Sequence, residues 1–345
     1  MFRDRKKTTE RVCSHPGRDG GKKNFPIYMN PNKRLSPDIS IVIPLFCEEG
    51  NVRQLIGRLL RATQGIAESF EIILVDDGSR DRTWTQIEAE AENNKLVKGI
   101  RLSRNFGHQH ALLAGLSHAS GRAIISMDGD LQHPPEFIPQ LIKKWREGYA
   151  IVNTSRDDVE VTPLFKRITS KYFYRFFSFM TDVKMSEGSS DFRLLDRRVL
   201  DNLLKFKDVD LFLRGAVQWL GFSQATLPYK AEMRHSGTSK YSLWKMLMFS
   251  RSAIISFSTK PLILSVWLGF ITCVLAFVEI IYIVIQYLRG STIVGWASTL
   301  SVLGFLFGVL FIILGIMGTY LARIHMALQN RPRFIAQRTV NFETE

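Results

Sequence analysis

Ile124-Ile125-Ser126-Met127-Asp128-Gly129-Asp130-Leu131-Gln132-His133-Pro134-Pro135 is an apolar run that ends in two carboxylates one residue apart, followed by a proline stop. The run reads as a buried strand. If it continues through Asp130, side chains at i and i+2 share a face, and Asp128 and Asp130 point at one spot. Two such carboxylates repel unless a cation lies between or beside them. Hard oxygen ligands suit Mg²⁺ or Mn²⁺, which keep water and also bind substrate phosphates. A solvated Asp-Gly-Asp turn is the competing reading.

The segments before this run set its context. Ile39 to Phe46 is a β-branched run, and Glu48-Glu49-Gly50-Asn51 leads into an amphipathic helix over Val52 to Ala62. Glu71 to Val75 is a second strand ending in Asp76-Asp77-Gly78-Ser79, with Asp81 or Thr83 as cap for a helix to Asn93. Val97 to Leu102 is a strand, His108 to His118 a helix, and Arg122 to Met127 the central strand. A helix over Pro135 to Glu147 and a strand over Ala150 to Thr154 follow. This alternation predicts an α/β domain with a mostly parallel sheet and right-handed crossovers. Ligands bind outside the carboxyl ends of such strands. Glu48-Glu49, Asp76-Asp77, Ser103-Arg104-Asn105 and Asp128-Asp130 all fall there, which predicts one cleft. No GxGxxG or GxxxxGK[ST] is present, which disfavours a dinucleotide fold and a P-loop.

Phe165 to Met180 interleaves aromatic and basic residues, Lys171 and Arg175 among them. It predicts an amphipathic helix, packed on its own domain or lying at a membrane interface. In Gly188 to Arg198, Asp191 and Arg193 share one strand face, Phe192 and Leu194 share the other, and Asp196 is placed to cap the next helix. Arg234 to Tyr241 is a small-residue loop, either plainly solvated or a flap whose Arg234 and Lys240 clamp phosphate oxygens.

Tyr241 to Phe257 is amphipathic, and two long apolar runs follow, Leu262 to Leu288 and Ile293 to Ala322. Each exceeds the roughly 20 residues needed to cross a bilayer, so a transmembrane hairpin is predicted. Lys245, Arg251 and Lys260 precede it, Arg323, His325, Arg331 and Arg333 follow it, and only Arg289 lies between. The positive-inside rule then puts the sheet domain and both termini in the cytoplasm. Glu279, a carboxylate within a span, is either functional or paired within or between hairpins. The expected organisation is a basic tail over 1–38, a sheet domain over 39–232, a flap and interfacial helices over 233–260, the hairpin over 261–324 and a tail over 325–345.

The net charge of +14 in 345 residues favours anionic partners. For the basic N-terminal tail, attraction to an anionic membrane is preferred to nucleic-acid binding, and no nucleic-acid partner is expected. Cys13, Cys47 and Cys273 form no CxxC pair, so neither a disulfide framework nor a zinc site is suggested.

Taken together, Ile41-Val42-Ile43-Pro44, Glu48-Glu49, Val75 to Ser79, Leu102 to Gly107, Asp128 to Gln132 with Pro134-Pro135, and Ser190 to Arg197 resemble the family 2 glycosyltransferases. Within them they resemble the polyprenyl-phosphate group of the bactoprenol glucosyltransferases and dolichyl-phosphate mannose synthase. The resemblance runs from about Ser40 through the second span. It implies a Rossmann-like GT-A domain, juxtamembrane amphipathic helices and a two-helix hairpin. It implies that Pro44, Glu48, Asp76 and Asp77 hold the nucleoside side of a donor. Asp128 and Asp130 would take the diphosphate and the Mg²⁺ or Mn²⁺. Arg234 and Lys240 match phosphate-gripping flap positions, and Asp191 matches the position usually proposed as catalytic base. Two departures stand out: Gly129 where Ala is common, and His133 where Asp is frequent.

The implied reaction moves a sugar from a nucleotide sugar to a membrane polyprenyl phosphate with inversion. Glucose from UDP-glucose onto undecaprenyl phosphate in a bacterial inner membrane fits best, and GDP-mannose is the alternative. Self-association, with tetramers possible, is expected of a two-span anchor. A phosphate monoester has a second pKa of about 6 and is largely ionised near neutrality. Asp191 is therefore expected to orient acceptor or sugar, while Arg193, Lys171 or Arg175 neutralises the acceptor phosphate. Two rivals remain. A processive polysaccharide synthase would carry QxxRW, which Gln218-Trp219 does not fit, and a non-catalytic sensor would have lost the cleft carboxylates.

Overall fold

The computed structural model describes residues 37–156, 189–206, 208, 212–229, 258–290 and 295–342. The basic tail to residue 36, the Phe165 to Met180 segment with Lys171 and Arg175, and the 230–257 stretch with Arg234, Lys240 and the expected interfacial helices lie outside the described residues.

Among the described residues eight strands form one mixed sheet: β1 (Ile39–Leu45), β2 (Phe70–Asp76), β3 (Val97–Leu102), β4 (Ala123–Ser126), β5 (Ile151–Arg156), β6 (Ser189–Asp196), β7 (Gln224–Tyr229) and β8 (Ala336–Val340). Their spatial order is β7-β5-β6-β4-β1-β2-β3-β8. The centre, β4-β1-β2-β3, is parallel. The chain runs outward from β1 to β3 and then returns to the other side of β1 with β4, which makes the β1/β4 gap the switch point.

Four helices of the sheet domain carry the crossovers: α1 (Val52–Thr63), α2 (Thr83–Asn93), α3 (His108–His118) and α4 (Ile138–Arg146). Two more, α5 (Arg197–Leu203) and α6 (Leu213–Trp219), follow β6. In β1, Ile39, Ile41, Ile43 and Leu45 pack with α1, α2 and α4, while Val42 packs on the other face with α3, α5 and α6. Burial on both faces explains why these strands are apolar throughout rather than alternating. In α1 the buried positions Val52, Leu55, Ile56 and Leu59 form one stripe, each contributing about 1.5–3 kcal/mol by leaving water.

Local expectations meet three corrections. β4 ends at Ser126, so Asp128 and Asp130 lie in a loop and not on a continued strand. The ladder stops because Met127 N–H makes the last bond to β1, at the Val42 carbonyl (3.1 Å), and Leu131 then turns left-handed with φ +62°. The first α2 position is preceded by Arg82, and Asp81 reaches the helix from one residue further out, accepting the Thr83 N–H and hydroxyl. A 3-10 turn at Pro135–Phe137 precedes α4. Asp196 does cap α5, accepting the Arg198 N–H at 3.0 Å.

Beyond the sheet domain, α7 (Lys260–Leu288) and α8 (Trp296–Leu328) pack against each other, and both are long and apolar enough to cross a membrane. Their outward faces are hydrophobic: Val266 is 69% exposed and Phe311 67%. The segment expected to be a tail, 325–345, returns to the sheet as β8, antiparallel to β3 with Ala336 opposite Leu102 and Val340 opposite Gly99. Ser103 N–H donates to the Ile335 carbonyl, and the Arg333 guanidinium donates to the Phe206 carbonyl. Asn341 Nδ2 donates to the Ala91 and Val97 carbonyls at 2.6 and 2.8 Å.

Candidate active site

The crevice opens where β1 and β4 part. Val42 gives its carbonyl to the last β4-side bond, so Pro44, two residues on, places its missing N–H in the gap and costs no ladder bond. Cys47 then turns left-handed (φ +55°), and its N–H donates to Ser79 Oγ while Glu48 N–H donates to Thr83 Oγ1. The Glu48 carboxylate is partly exposed and accepts from Asn51 Nδ2. Both loops bordering the switch point thus carry a non-glycine residue, Cys47 and Leu131, in a costly conformation held by the surrounding structure.

Asp76 ends β2 fully buried. Its Oδ1 accepts the Ser79 N–H, whereas Oδ2 has no hydrogen-bond partner and lies 3.5 Å from Arg101 Nε. Asp77 is buried too, and both its oxygens are committed, to Phe106 N–H (2.7 Å) and Gly107 N–H (2.9 Å). Burial raises its carboxyl above the ordinary value against the pull of those two bonds. The same two loops meet at Gly78, where a Cβ would lie 2.5 Å from the Arg104 backbone. Asp77 and Gly78 therefore weld the β2 and β3 exits together.

On the β4 side, Asp128 is one-third exposed and Asp130 partly so, with Asp130 Oδ1 accepting Gln132 N–H. Gly129 between them is buried, and a Cβ there would collide with Leu45 Cδ2. His133 sits behind this loop. Its Nδ1 accepts the Asp128 N–H (2.9 Å), so Nε2 carries the proton and donates to Ser190 Oγ (2.8 Å). Its ring stacks on Phe192, and burial lowers its pKa, consistent with a neutral imidazole. Arg156 Nη2 holds the Gln132 side chain at 2.5 Å.

β6 runs antiparallel to β4 with Arg193 opposite Ser126, so its incoming end carries Ser190 and Asp191 past the end of β4. Ser126 Oγ donates to the Asp191 carbonyl at 2.6 Å. The Asp191 carboxylate is buried and gripped from two sides. Arg214 of α6 donates Nε to Oδ1 and Nη2 to Oδ2, both at 2.8 Å, and Arg193 Nη2 donates to Oδ1 at 3.1 Å. Burial opposes ionisation, but the Arg214 charge and fork, with His108 and Arg193, hold this carboxyl well below its usual range. His108, the first residue of α3, has Nε2 3.4 Å from Asp128 Oδ1 and 3.6 Å from Asp191 Oδ2. Burial disfavours its charge, yet the two carboxylates outweigh that and raise its pKa.

The structure thus brings Asp128 and Asp191 within reach of one histidine, with Arg193 on Asp191, and places Pro44, Glu48, Asp76 and Asp77 around the exits of β1 and β2. The residues that complete the site, His108 and Arg214, were not singled out by sequence. His108 directly follows the Asn105-Phe106-Gly107 strand-end cluster, a signal that was available. Arg214 sits in an ordinary helical segment and offers none.

Among the described residues no group of three or more His, Cys, Asp or Glu is arranged to hold a metal ion. The two partly exposed carboxylates Asp128 and Asp130 match a different donor set, the one or two carboxylates with which Mg²⁺-type ions bind substrate phosphates.

Comparison with known proteins places this geometry. The profile described as glycosyl transferase family 2 matches residues 40–204. The uncharacterized glycosyltransferase YkcC of Bacillus subtilis is 38% identical over 89% of this chain and 95% of its own. The SfII prophage-derived bactoprenol glucosyl transferase of Shigella flexneri is 35% identical over 87% of this chain and 98% of its own. The prophage bactoprenol glucosyl transferase homolog of Escherichia coli K12 is 34% identical over 87% and 98%. Among solved structures, a mannosyltransferase from Pyrobaculum calidifontis in complex with GDP-Man and Mn²⁺ aligns at a TM-score of 0.47 and 16% identity over 68% of this chain and 67% of its own, too slight a likeness to carry an argument. With relatives more than a third identical along almost their whole length, the chain belongs to the family 2 glycosyltransferases, an enzyme on the GT-A fold.

Proposed function

We propose that the enzyme transfers glucose from UDP-glucose to undecaprenyl phosphate at the cytoplasmic face of a bacterial inner membrane, with inversion. The observation that carries the lipid acceptor is the register of β8. α8, an apolar helix of membrane-crossing length, ends at Leu328, and the chain joins the sheet at Ala336 opposite Leu102, the carboxyl end of β3. At about 3.5 Å per residue the link 329–335 spans at most about 25 Å. With α8 spanning the bilayer, the edge of the sheet bearing the crevice would be tethered close to where α8 leaves the hydrocarbon, within reach of a phosphate carried at the bilayer surface. The bactoprenol glucosyl transferases among the relatives support the same acceptor and sugar.

In this reading Pro44, Glu48 and Asp76 border the nucleoside, and Asp77 acts by holding the 103–107 loop. Asp128 and Asp130 would hold Mg²⁺ or Mn²⁺ against the donor diphosphate. When bound, the ion supplies Lewis acidity that neutralises charge growing on the leaving group. An acceptor phosphate oxygen attacks the anomeric carbon from the face opposite the diphosphate. The bond from that carbon to the diphosphate oxygen breaks, and UDP leaves with the electron pair. The attacking oxygen is already ionised near neutrality, so no side chain needs to remove a proton. Asp191, neutralised by two guanidiniums, orients a substrate hydroxyl or the acceptor. Arg193, Lys171, Arg175, Arg234 and Lys240 are the cations assigned to phosphate.

The test is transfer of labelled sugar into an organic-soluble product by purified protein with undecaprenyl phosphate and Mg²⁺ or Mn²⁺. UDP-glucose, UDP-galactose, UDP-N-acetylglucosamine and GDP-mannose are offered in parallel. Transfer from UDP-glucose, lost in Asp130→Ala, is expected. Transfer from GDP-mannose alone would reassign the sugar, and no transfer from any donor by folded, nucleotide-binding protein would sink the reading.

A further inference from the structure

We propose that Arg214 is a positioning residue for sugar transfer, fixing the plane of the Asp191 carboxylate beside Asp128. The inference rests on the transferase reading above and concerns how the acceptor side of that site is held in place.

Among the described residues two guanidiniums touch Asp191, and they do different work. Arg193 stands two residues away on the same strand. A single nitrogen, Nη2, serves both the Ser190 carbonyl (2.8 Å) and Asp191 Oδ1 (3.1 Å). One bond to one oxygen leaves the carboxylate free to rotate about its Cβ–Cγ bond. Arg214 makes two parallel bonds, Nε to Oδ1 and Nη2 to Oδ2, both at 2.8 Å. A planar fork on both oxygens sets the plane of the group as well as its charge. Arg214 therefore decides the orientation.

The fork arrives from a separate element whose own position is tied to the site. The residue before it, Leu213, donates its N–H to Gln109 Oε1 at 3.3 Å. Gln109 neighbours His108, whose Nε2 lies between Asp128 and Asp191. The first turns of α3 and α6 are thus fastened to each other, and one side chain from each meets Asp191: His108 approaches Oδ2, and Arg214 spans both oxygens. A purely structural pair has little to recommend it here, because a buried ion pair is commonly no more stabilising than apolar residues of the same volume. The Arg214 side chain also remains about one-third exposed while its partner is buried, so the pair lies at the rim of the site and not in the core. Since the acceptor needs no base, what transfer requires of Asp191 is direction, and direction is what a bidentate fork supplies.

The experiment compares full-length wild type, Arg214→Ala, Arg214→Lys, Asp191→Asn and the double variant Asp191→Asn/Arg214→Ala. Steady-state glucose transfer to undecaprenyl phosphate is read alongside UDP binding and thermal unfolding. Misplacement of a reacting group by about 1 Å costs about 100-fold, so Arg214→Ala should lose about that much kcat, with KM for UDP-glucose within about threefold of wild type. The double variant should be no slower than the slower single variant, because both changes remove one oriented carboxylate. Arg214→Lys, which keeps charge but not the fork, should remain at least about tenfold slow.

A folded Arg214→Ala with near-wild-type kcat, a loss confined to donor KM, or multiplying losses in the double variant would each overturn the inference. Should Arg214→Ala fail to fold, Arg214→Lys decides: wild-type kcat overturns the proposal, and a slow, folded enzyme supports it. Wild-type protein inactive with every donor sinks the transferase reading and this inference together. Active wild type with an indifferent Arg214 sinks this inference alone.

Discussion

Asp128 and Asp191 are carboxylates a histidine apart in very different surroundings. The first is one-third exposed beside His108, the second buried beneath the guanidiniums of Arg193 and Arg214. The asymmetry predicts unequal costs for the same isosteric change. Asp128→Asn should lower kcat for transfer by about 10²–10³, the range for removing one preorganised charge-stabilising group. Asp191→Asn keeps its volume and one acceptor oxygen and should cost about tenfold. Steady-state rates of both variants check this. An Asp191→Asn deficit as large as that of Asp128→Asn, and repaired at high pH with binding intact, would return Asp191 to the role of base. Gly129 supports a second prediction. Its missing Cβ leaves the space in which Leu45 Cδ2 sits, so Gly129→Ala should destabilise the fold by about 1–3 kcal/mol in thermal unfolding. An unchanged Tm would mean that Leu45 turns aside without cost.

Among the elements, the strands of the parallel centre are fastened at their amino ends by one carboxylate. Glu71 of β2 accepts from Ser40 Oγ of β1, from the N–H and hydroxyl of Ser120 just before β4, and from Lys98 Nζ of β3. Burial opposes its ionisation, but the Lys98, Ser40 and Ser120 bonds together hold its carboxyl below the ordinary value. A group with a lowered folded pKa stabilises fully above its unfolded value, and that stabilisation fades as pH falls below the ordinary glutamate value and through the lowered folded one. Glu71→Gln should therefore be about 1–3 kcal/mol less stable near neutrality, and the gap from wild type should narrow toward pH 3 in urea titrations. A constant gap would remove ionisation from the account. The same level shows what the sequence reveals and what it conceals. β1 to β4 announce themselves because strands buried on both faces must be apolar, and the polar strand exits announce the crevice. β8 does not, because Ala336-Gln337-Arg338-Thr339-Val340 is an exposed edge strand whose place is set by the open side of β3 and by Asn341. The end of β4 is concealed for a related reason. Nothing in Met127-Asp128-Gly129-Asp130 forbids strand; the ladder stops where the next β1 residue facing β4 is Pro44, which has no N–H to donate. Arg214 is legible only once α6 is packed against α3.

For the whole molecule, the outward faces of α7 and α8 are too apolar for water, and their flanking charges are uneven: Arg289 alone between them, Arg323, His325, Arg331 and Arg333 after. The protein should stay with the membrane pellet through an alkaline carbonate wash. A tag after Glu345 should be digested by added protease in inside-out vesicles and protected in right-side-out ones. Release by carbonate, or the opposite protection, would reject the proposed topology. The position of β8 behind both helices carries a consequence for biosynthesis. At about 5–20 residues per second, roughly 230 residues of translation separate β3 from its last partner, on the order of 10–50 s. Through that interval β3 presents an unpaired edge, a template for wrong pairing between nascent chains. The sheet is completed only after α7 and α8 have been synthesised, so until the last residues emerge the catalytic domain stays open along the β3 side.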